Sequence, residues 1–207
     1  MEKLLLSSQR TAWQDLFVGI YPYKLADIYE SRGIYLFYQD KIDEAIAEFE
    51  KITPFESKTY NWEKDTYQTE MVDYKTAQFP GNPFNGKIKD CNDCDHAAKQ
   101  SVKYSQLNFL QKIKEMKAKI AAGEDVYSNA LLVGNAFYNA SYFGNARAFY
   151  YNSIINEYGN SISNEHSKML YGMENVQKYY NIAKKAAADN EQKAKMAYML
   201  AKTQRND

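Results

Sequence analysis

Neither sign of charge is in excess in this chain: 26 Lys plus Arg stand against 26 Asp plus Glu. A neutral chain has no global field to draw it to nucleic acid or to an anionic membrane, so neither is an expected partner. Long apolar runs are also missing. The longest are broken by Tyr, Asn or Lys well short of the ~18 residues a spanning helix needs, so no membrane span is expected. Histidine occurs twice, which leaves little room for imidazole acid–base chemistry. There is no Gly-rich phosphate loop, no GxSxG elbow and no HExxH zinc helix. The opening Met1-Glu2-Lys3-Leu4-Leu5-Leu6 has too short an apolar core for a signal peptide, and Trp13 and Asp15 follow quickly. The expectation is either a cytoplasmic protein or an excised part of a longer exported chain.

What the chain does have is tyrosine, 19 of them. Tyr combines a large apolar body with a polar tip and can fill a helix interface or line a wet groove. A spacing also recurs. Gly33 is followed by Leu36, Phe37, Ala45 and Phe49; Gly134 is followed by Phe137, Tyr138, Ala146 and Tyr150. A small residue lets two helices approach, and the aromatics fill the space beside the contact, so the pattern predicts a repeated helix hairpin.

The 207 residues fit one helical-repeat domain, 1–207. Residues 10–53 form a first hairpin region. Trp13, Leu16, Phe17 and Ile20 make an apolar helix stripe, Pro22 interrupts it, and a helix from about Tyr23 to Tyr38 follows. Asp40 stands where an N-cap belongs, before a helix burying Ile42, Ala45, Ile46, Phe49 and Ile52. Residues 54–99 read as an irregular insertion. Trp62, Tyr67, Met71 and Tyr74 suggest one short helix in it, and the turn formers from Pro80 to Gly86 exclude another. Residues 100–207 carry further helical repeats: about 104–122, a helix capped by Asp125, its partner over 144–158, and a last pair over 169–187 and 190–205. The last helix has an apolar face in Ala194, Ala197, Tyr198, Leu200 and Ala201. This face is expected either to dock as a terminal cap or to pair with more chain or another subunit, giving a homo-oligomer through the C-terminal helix.

Placed on the tetratricopeptide consensus, Gly33, Ala45 and Phe49 take the glycine, alanine and aromatic positions, with Tyr29 near the usual tryptophan and Pro54 near the closing proline. Gly134, Phe137, Ala146 and Tyr150 match in the same way, with Val133 in the leucine position. Arg32 and Ala130 depart from the pattern, and the second copy lacks its proline. The chain thus resembles a tetratricopeptide-repeat domain. The resemblance implies an all-α fold of stacked antiparallel helix hairpins, a right-handed solenoid, with further units in 100–122 and 171–205. The runs Asp90-Cys91-Asn92-Asp93-Cys94-Asp95-His96, Gly134-Asn135-Ala136-Phe137-Tyr138-Asn139, Gly144-Asn145-Ala146-Arg147 and Ala201-Lys202-Thr203-Gln204-Arg205-Asn206 resemble a group of uncharacterised Bacteroidetes proteins with such helices. That resemblance implies a longer, envelope-located protein and supplies no activity.

Cys91-x-x-Cys94 uses both cysteines, and His96 follows. As a zinc site, Cys91, Cys94 and His96 supply three ligands, and His166 would have to converge to complete four. Haem attachment requires His directly after the second Cys, where Asp95 stands. Asp90, Asn92, Asp93 and Asp95 crowd the thiols and disfavour the thiolate that redox chemistry wants. A local disulfide or two thiols fixing the insertion is the remaining reading. No cofactor is expected beyond a structural zinc. Calcium is disfavoured, because the run lacks the EF-hand's alternation and glycine.

No pair of carboxylates stands out for catalysis; Glu44, Glu48 and Glu50 read as a solvated face beside Lys41 and Lys51. Lys112, Lys114, Lys117 and Lys119 read the same way, with Glu115 among them. The function expected is therefore non-enzymatic: a protein–protein interaction module that holds a peptide or partner protein in a helical-repeat groove. Its groove residues are expected to be Tyr29, Tyr35, Tyr38, Asn135, Tyr138 and Asn139. The alternatives are a structural scaffold domain of a larger envelope protein with no ligand of its own, and a carboxylate-based hydrolase.

Overall fold

The computed structural model describes residues 1–61, 63–73, 79, 81–86, 102–155 and 164–204. The fold is mostly helical. The helices are α1 (Glu2–Leu6), α2 (Ala12–Ile20), α3 (Leu25–Tyr38), α4 (Ile42–Glu50), α5 (Gln106–Ala122), α6 (Val126–Asn139), α7 (Asn164–Tyr171), α8 (Glu174–Ala186) and α9 (Asn190–Gln204). One hairpin, β1 (Phe55–Asn61) with β2 (Thr66–Val72), lies between α4 and α5. From α3 onward the helices pack largely in chain order: α3 on α4, α4 on α5, α5 on α6, α6 on α8, and α8 on α9.

Local chemistry sets the ends. Thr11 and Gln14 form a reciprocal capping box at the start of α2, and Ser105 caps α5 through the backbone N–H of Asn108. Gly123 closes α5 in the left-handed region, φ 77°, where a side chain would be strained. Asp125 caps α6.

Aromatic rings make the centre. Phe37 of α3 stacks on Phe137 of α6 at 4.6 Å and meets Phe149 edge-on at 4.6 Å; Phe109 of α5 lies 5.4 Å from Phe149. Phe79, just before the turn formers, and Phe84, among them, insert against Phe109 at 5.6 and 5.4 Å. Offset and edge-on pairs at these distances add to the burial of each ring.

Several expectations fail at identifiable places. Tyr67 and Met71 lie in an antiparallel hairpin of Phe55–Asn61 with Thr66–Val72, not a helix, with Phe55 opposite Val72 and Asn61 opposite Thr66; Trp62 and Tyr74 lie outside the described residues. Phe55, Thr59, Tyr60, Thr66, Tyr67, Thr69 and Val72 are strand formers in the two arms, and the Asn61 side chain accepts from the N–H of Glu63 and Lys64, folding the turn. The helix expected over 144–158 does not form over 144–155, the part of it among the described residues. Asn139 O accepts from Ala146 N at 2.8 Å, and a single 3-10 turn, Arg147–Tyr150, follows. Asn152 Oδ1 then takes Ile154 N and stops helical continuation. Gly144 sits against the Tyr138 and Asn139 backbone with no room for a Cβ, which fixes the sharp bend. The 169–187 helix is two, broken at Gly172 and Met173.

Asp40 is not an N-cap. Its φ is 60°, the N-cap of α4 is Lys41, and the Asp40 carboxylate turns inward to Lys117, Lys178 and Tyr179. In α9 the buried residues are Met196, Met199 and Thr203, which leaves Ala194, Ala197, Tyr198 and Ala201 exposed. The helix docks on α8 by the side opposite to that expected.

Candidate recognition cleft

Gly33 and Gly134 both stand at close approaches, but with different partners. A Cβ on Gly33 would strike the Phe49 ring, four residues beyond Ala45, within the α3–α4 hairpin. A Cβ on Gly134 would strike Tyr180 of α8, not a residue of the 146–150 stretch. The shared spacing therefore marks a hairpin in the first copy only. In the second, α6 takes α8 as its partner, and the segment 141–155 folds over the α3–α5 side.

This arrangement sorts the six expected groove residues. Tyr29 is buried, with Glu2 hydrogen-bonded at its hydroxyl and Lys51 Nζ 5.6 Å from its ring; burial first, then Glu2, raises its hydroxyl above the usual tyrosine range. Tyr138 is fully buried. Asn135 and Asn139 are buried too, and both hold the insertion. Asn139 Nδ2 donates to Pro83 O and Asn85 O at 3.0 Å each, and Asn135 Nδ2 donates to Phe84 O at 3.4 Å. Tyr180 donates its hydroxyl to Asn135 Oδ1 at 2.8 Å. The three residues of α6 therefore face inward and line no open surface. Their amides satisfy backbone carbonyls that would otherwise be buried without donors.

Tyr35 and Tyr38 lie elsewhere. Both line a cleft of about 460 Å³ formed with Gln39, Phe137, Lys168, Met169, Gly172, Glu174, Asn175 and Val176. The C-terminal half of α3 makes one wall and the α7–α8 junction the other. The Tyr38 hydroxyl donates to Ala140 O, and Asn175 Nδ2 donates to Tyr38 O at 2.7 Å, so the walls are tied at the base. Burial, helped by neighbouring Tyr150, holds the Tyr38 hydroxyl well above the usual range, and it stays neutral. Tyr35 packs 5.6 Å from the His166 ring. Lys168 and Glu174 bring one cation and one carboxylate to the lining.

Lys168, Met169, Glu174 and Asn175 were not expected as site residues. Read as one helix, 169–187 would put Met169 and Asn175 on different faces, about 120° apart around the axis; the break at Gly172 and Met173 lets both line the cleft, and only Gly172 itself signalled it.

Cys91, Cys94 and His96 lie outside the described residues. Among the described residues no group of three His, Cys, Asp or Glu is placed to hold a metal ion, and no helix is long and apolar enough to cross a membrane. One carboxyl is perturbed toward neutral pH. Burial raises Glu30 to about 7, against the opposing hydrogen bonds from Asn152 and Gln106. Its side chain is 1% exposed, with one oxygen on Gln106 Nε2 at 2.8 Å and the other on Asn152 Nδ2 at 2.6 Å. It ties α3 to α5 and the 152 turn. No family model, no curated protein and no solved structure matches this chain.

Proposed function

We propose that this chain is a non-enzymatic protein-interaction module that takes a peptide segment of a partner protein in the cleft between α3 and the α7–α8 junction. The observation that carries the reading is the lining: Tyr35, Tyr38 and Phe137 supply aromatic surface beside Lys168, Glu174, Gln39 and Asn175. Rings give contact area at low entropic cost, amides pair with a peptide backbone, and two opposite charges suit a polar side chain of either sign. Packing of successive helices supports a tetratricopeptide-like solenoid of stacked hairpins as the scaffold, with α7 and the 141–155 segment replacing the second helix of one unit. A purely structural scaffold domain is the second reading, favoured by Asn135, Tyr138 and Asn139, whose side chains serve internal packing.

Selection from a random peptide library on the intact protein tests the proposal, with affinities then measured by calorimetry. Selected peptides should bind the Tyr35→Ala and Lys168→Glu variants at least about tenfold more weakly, a loss of about 1.4 kcal/mol. If no peptide is selected, or both variants bind as wild type does, the cleft reading falls and the scaffold reading replaces it.

A further inference from the structure

Helix α2 stands off the body. Of its nine residues only Val18 is even half-buried, and Trp13, Leu16, Phe17 and Ile20 are 80%, 57%, 50% and 71% exposed. Their spacing of three, one and three puts all four on one face of the helix. A nine-residue helix packed mainly on the five-residue α1 is marginal in water, and a continuous stripe of large apolar side chains is seldom left bare. The helix is nevertheless held in a set direction. Phe17 stacks on Tyr21, and Tyr21 meets Tyr23 edge-on at 5.5 Å; Arg10 bonds Asp15 at 2.8 Å and the Ser7 carbonyl at 2.9 Å.

We propose that this face docks on the same face of a second copy of the chain, making a two-fold dimer through α2. Charge selects the occupant. A helix that lies on lipid shows Lys and Arg on its polar side, but α2 has Gln14 and Asp15 there, and its neighbour Arg10 is bound to Asp15. The apolar face itself carries no charge, so it is self-complementary, and the net charge of zero sets no repulsion between copies. Area agrees. At roughly 150–250 Å² for a whole aromatic side chain, the four residues expose about 500 Å² per copy. A pair therefore buries about 1,000 Å² in total, the lower limit of specific interfaces. The dimer is accordingly weak and exchanging. None of the residues lining the cleft belongs to α1 or α2, so dimerisation and peptide binding stand or fall separately.

Sedimentation velocity under reductant, over about 1–300 µM, tests the dimer. Wild type should pass from monomer to dimer with concentration, and the Trp13→Ser, Ile20→Glu double variant should remain monomeric with an unchanged melting temperature, since neither side chain touches the core. In a Trp62→Phe background, Trp13 is the sole indole, and its emission should move to the blue as dimer forms. A dimer that persists in the double variant overturns the proposal and moves the interface to another surface, such as the exposed side of α9. Monomer throughout, with the blue shift produced by phosphatidylcholine or phosphatidylglycerol vesicles instead, overturns it in favour of lipid. Monomer throughout with Trp13 emission already blue at the lowest concentration overturns it in favour of cover from the chain itself.

Discussion

Glu30 is a carboxyl buried away from water with amide donors, and no cation, hydrogen-bonded to it. An ionised carboxylate buried without a cation costs more than two amide hydrogen bonds return, so its proton is retained up to about pH 7. A folded value above the unfolded one means that the native state binds the extra proton between about 4.5 and 7. The stability Glu30 contributes is therefore fully present below pH 4.5 and is lost as pH rises through 7, an effect of about 3 kcal/mol. The Glu30→Gln variant tests this. Its melting temperature should lose the wild-type decline between pH 5 and pH 8. It should also be lower than wild type at pH 5, because an amide nitrogen cannot accept from Asn152 as a carboxyl hydroxyl can. A decline of unchanged slope in the variant would place the titration elsewhere.

At the level of elements, the α6–α8 contact depends on what is missing from Gly134. A methyl there meets the Tyr180 ring, and the ring cannot swing aside because it is fully buried and its hydroxyl is bonded to Asn135. Gly134→Ala should cost about 1–3 kcal/mol by overpacking. Gly19→Ala is the matched control: a Cβ on Gly19 meets nothing within 4 Å, so the same change should be neutral or gain up to about 1 kcal/mol of helix propensity. Chemical denaturation of both variants measures the contrast; equal effects would remove the close-approach argument. This pair also shows what could be read from the chain. Helices carried by local signals were legible: the Pro22 break, the Gly123 stop and the Asp125 cap all stand where spacing and turn chemistry put them. So was the Gly33–Phe49 hairpin, whose partners lie close in sequence. The partner of Gly134 was not, because Tyr180 lies beyond a segment whose local pattern mimics a helix from Gly144. The 141–155 bend is imposed by tertiary bonds, above all Ala146 to Asn139 and Asn152 to Glu30, which periodicity does not register. The same limit applied to the cleft. Tyr35 and Tyr38 could be placed from their helix, but the opposite wall required knowing where α7 ends.

Across the whole molecule, Asp40 is the point where separate parts of the chain are joined. Its carboxylate, 9% exposed, accepts from Lys117 of α5 at 2.8 Å and from Lys178 and Tyr179 of α8 at 2.6 and 2.8 Å, while it sits in the α3–α4 turn. Burial alone would raise the Asp40 carboxyl; the hydrogen bonds from Lys117, Lys178 and Tyr179 outweigh it and hold the group below its usual 3.8. A depressed carboxyl contributes stability that is present above the unfolded value and is lost as pH falls through the folded one. Asp40 and Glu30 thus act in opposite directions on the acid side of neutrality. Asp40 stabilises the fold above about 3.8 and Glu30 stops doing so as pH passes from 4.5 to 7, so together they favour a maximum between about pH 4 and 5, more acidic than the common range. The Asp40→Asn variant should lose about 2 kcal/mol at pH 7, limited by the solvent that reaches both lysines. Its deficit against wild type should hold constant from pH 8 to pH 5 and shrink below pH 4, where the unfolded carboxyl takes up a proton that the native one still refuses. Scanning calorimetry of the two proteins from pH 3 to pH 8 gives that difference directly. A deficit as large at pH 3 as at pH 7 would mean that Asp40 joins the turn to α5 and α8 by shape alone, and that the ion pairs contribute nothing to the closure of the fold.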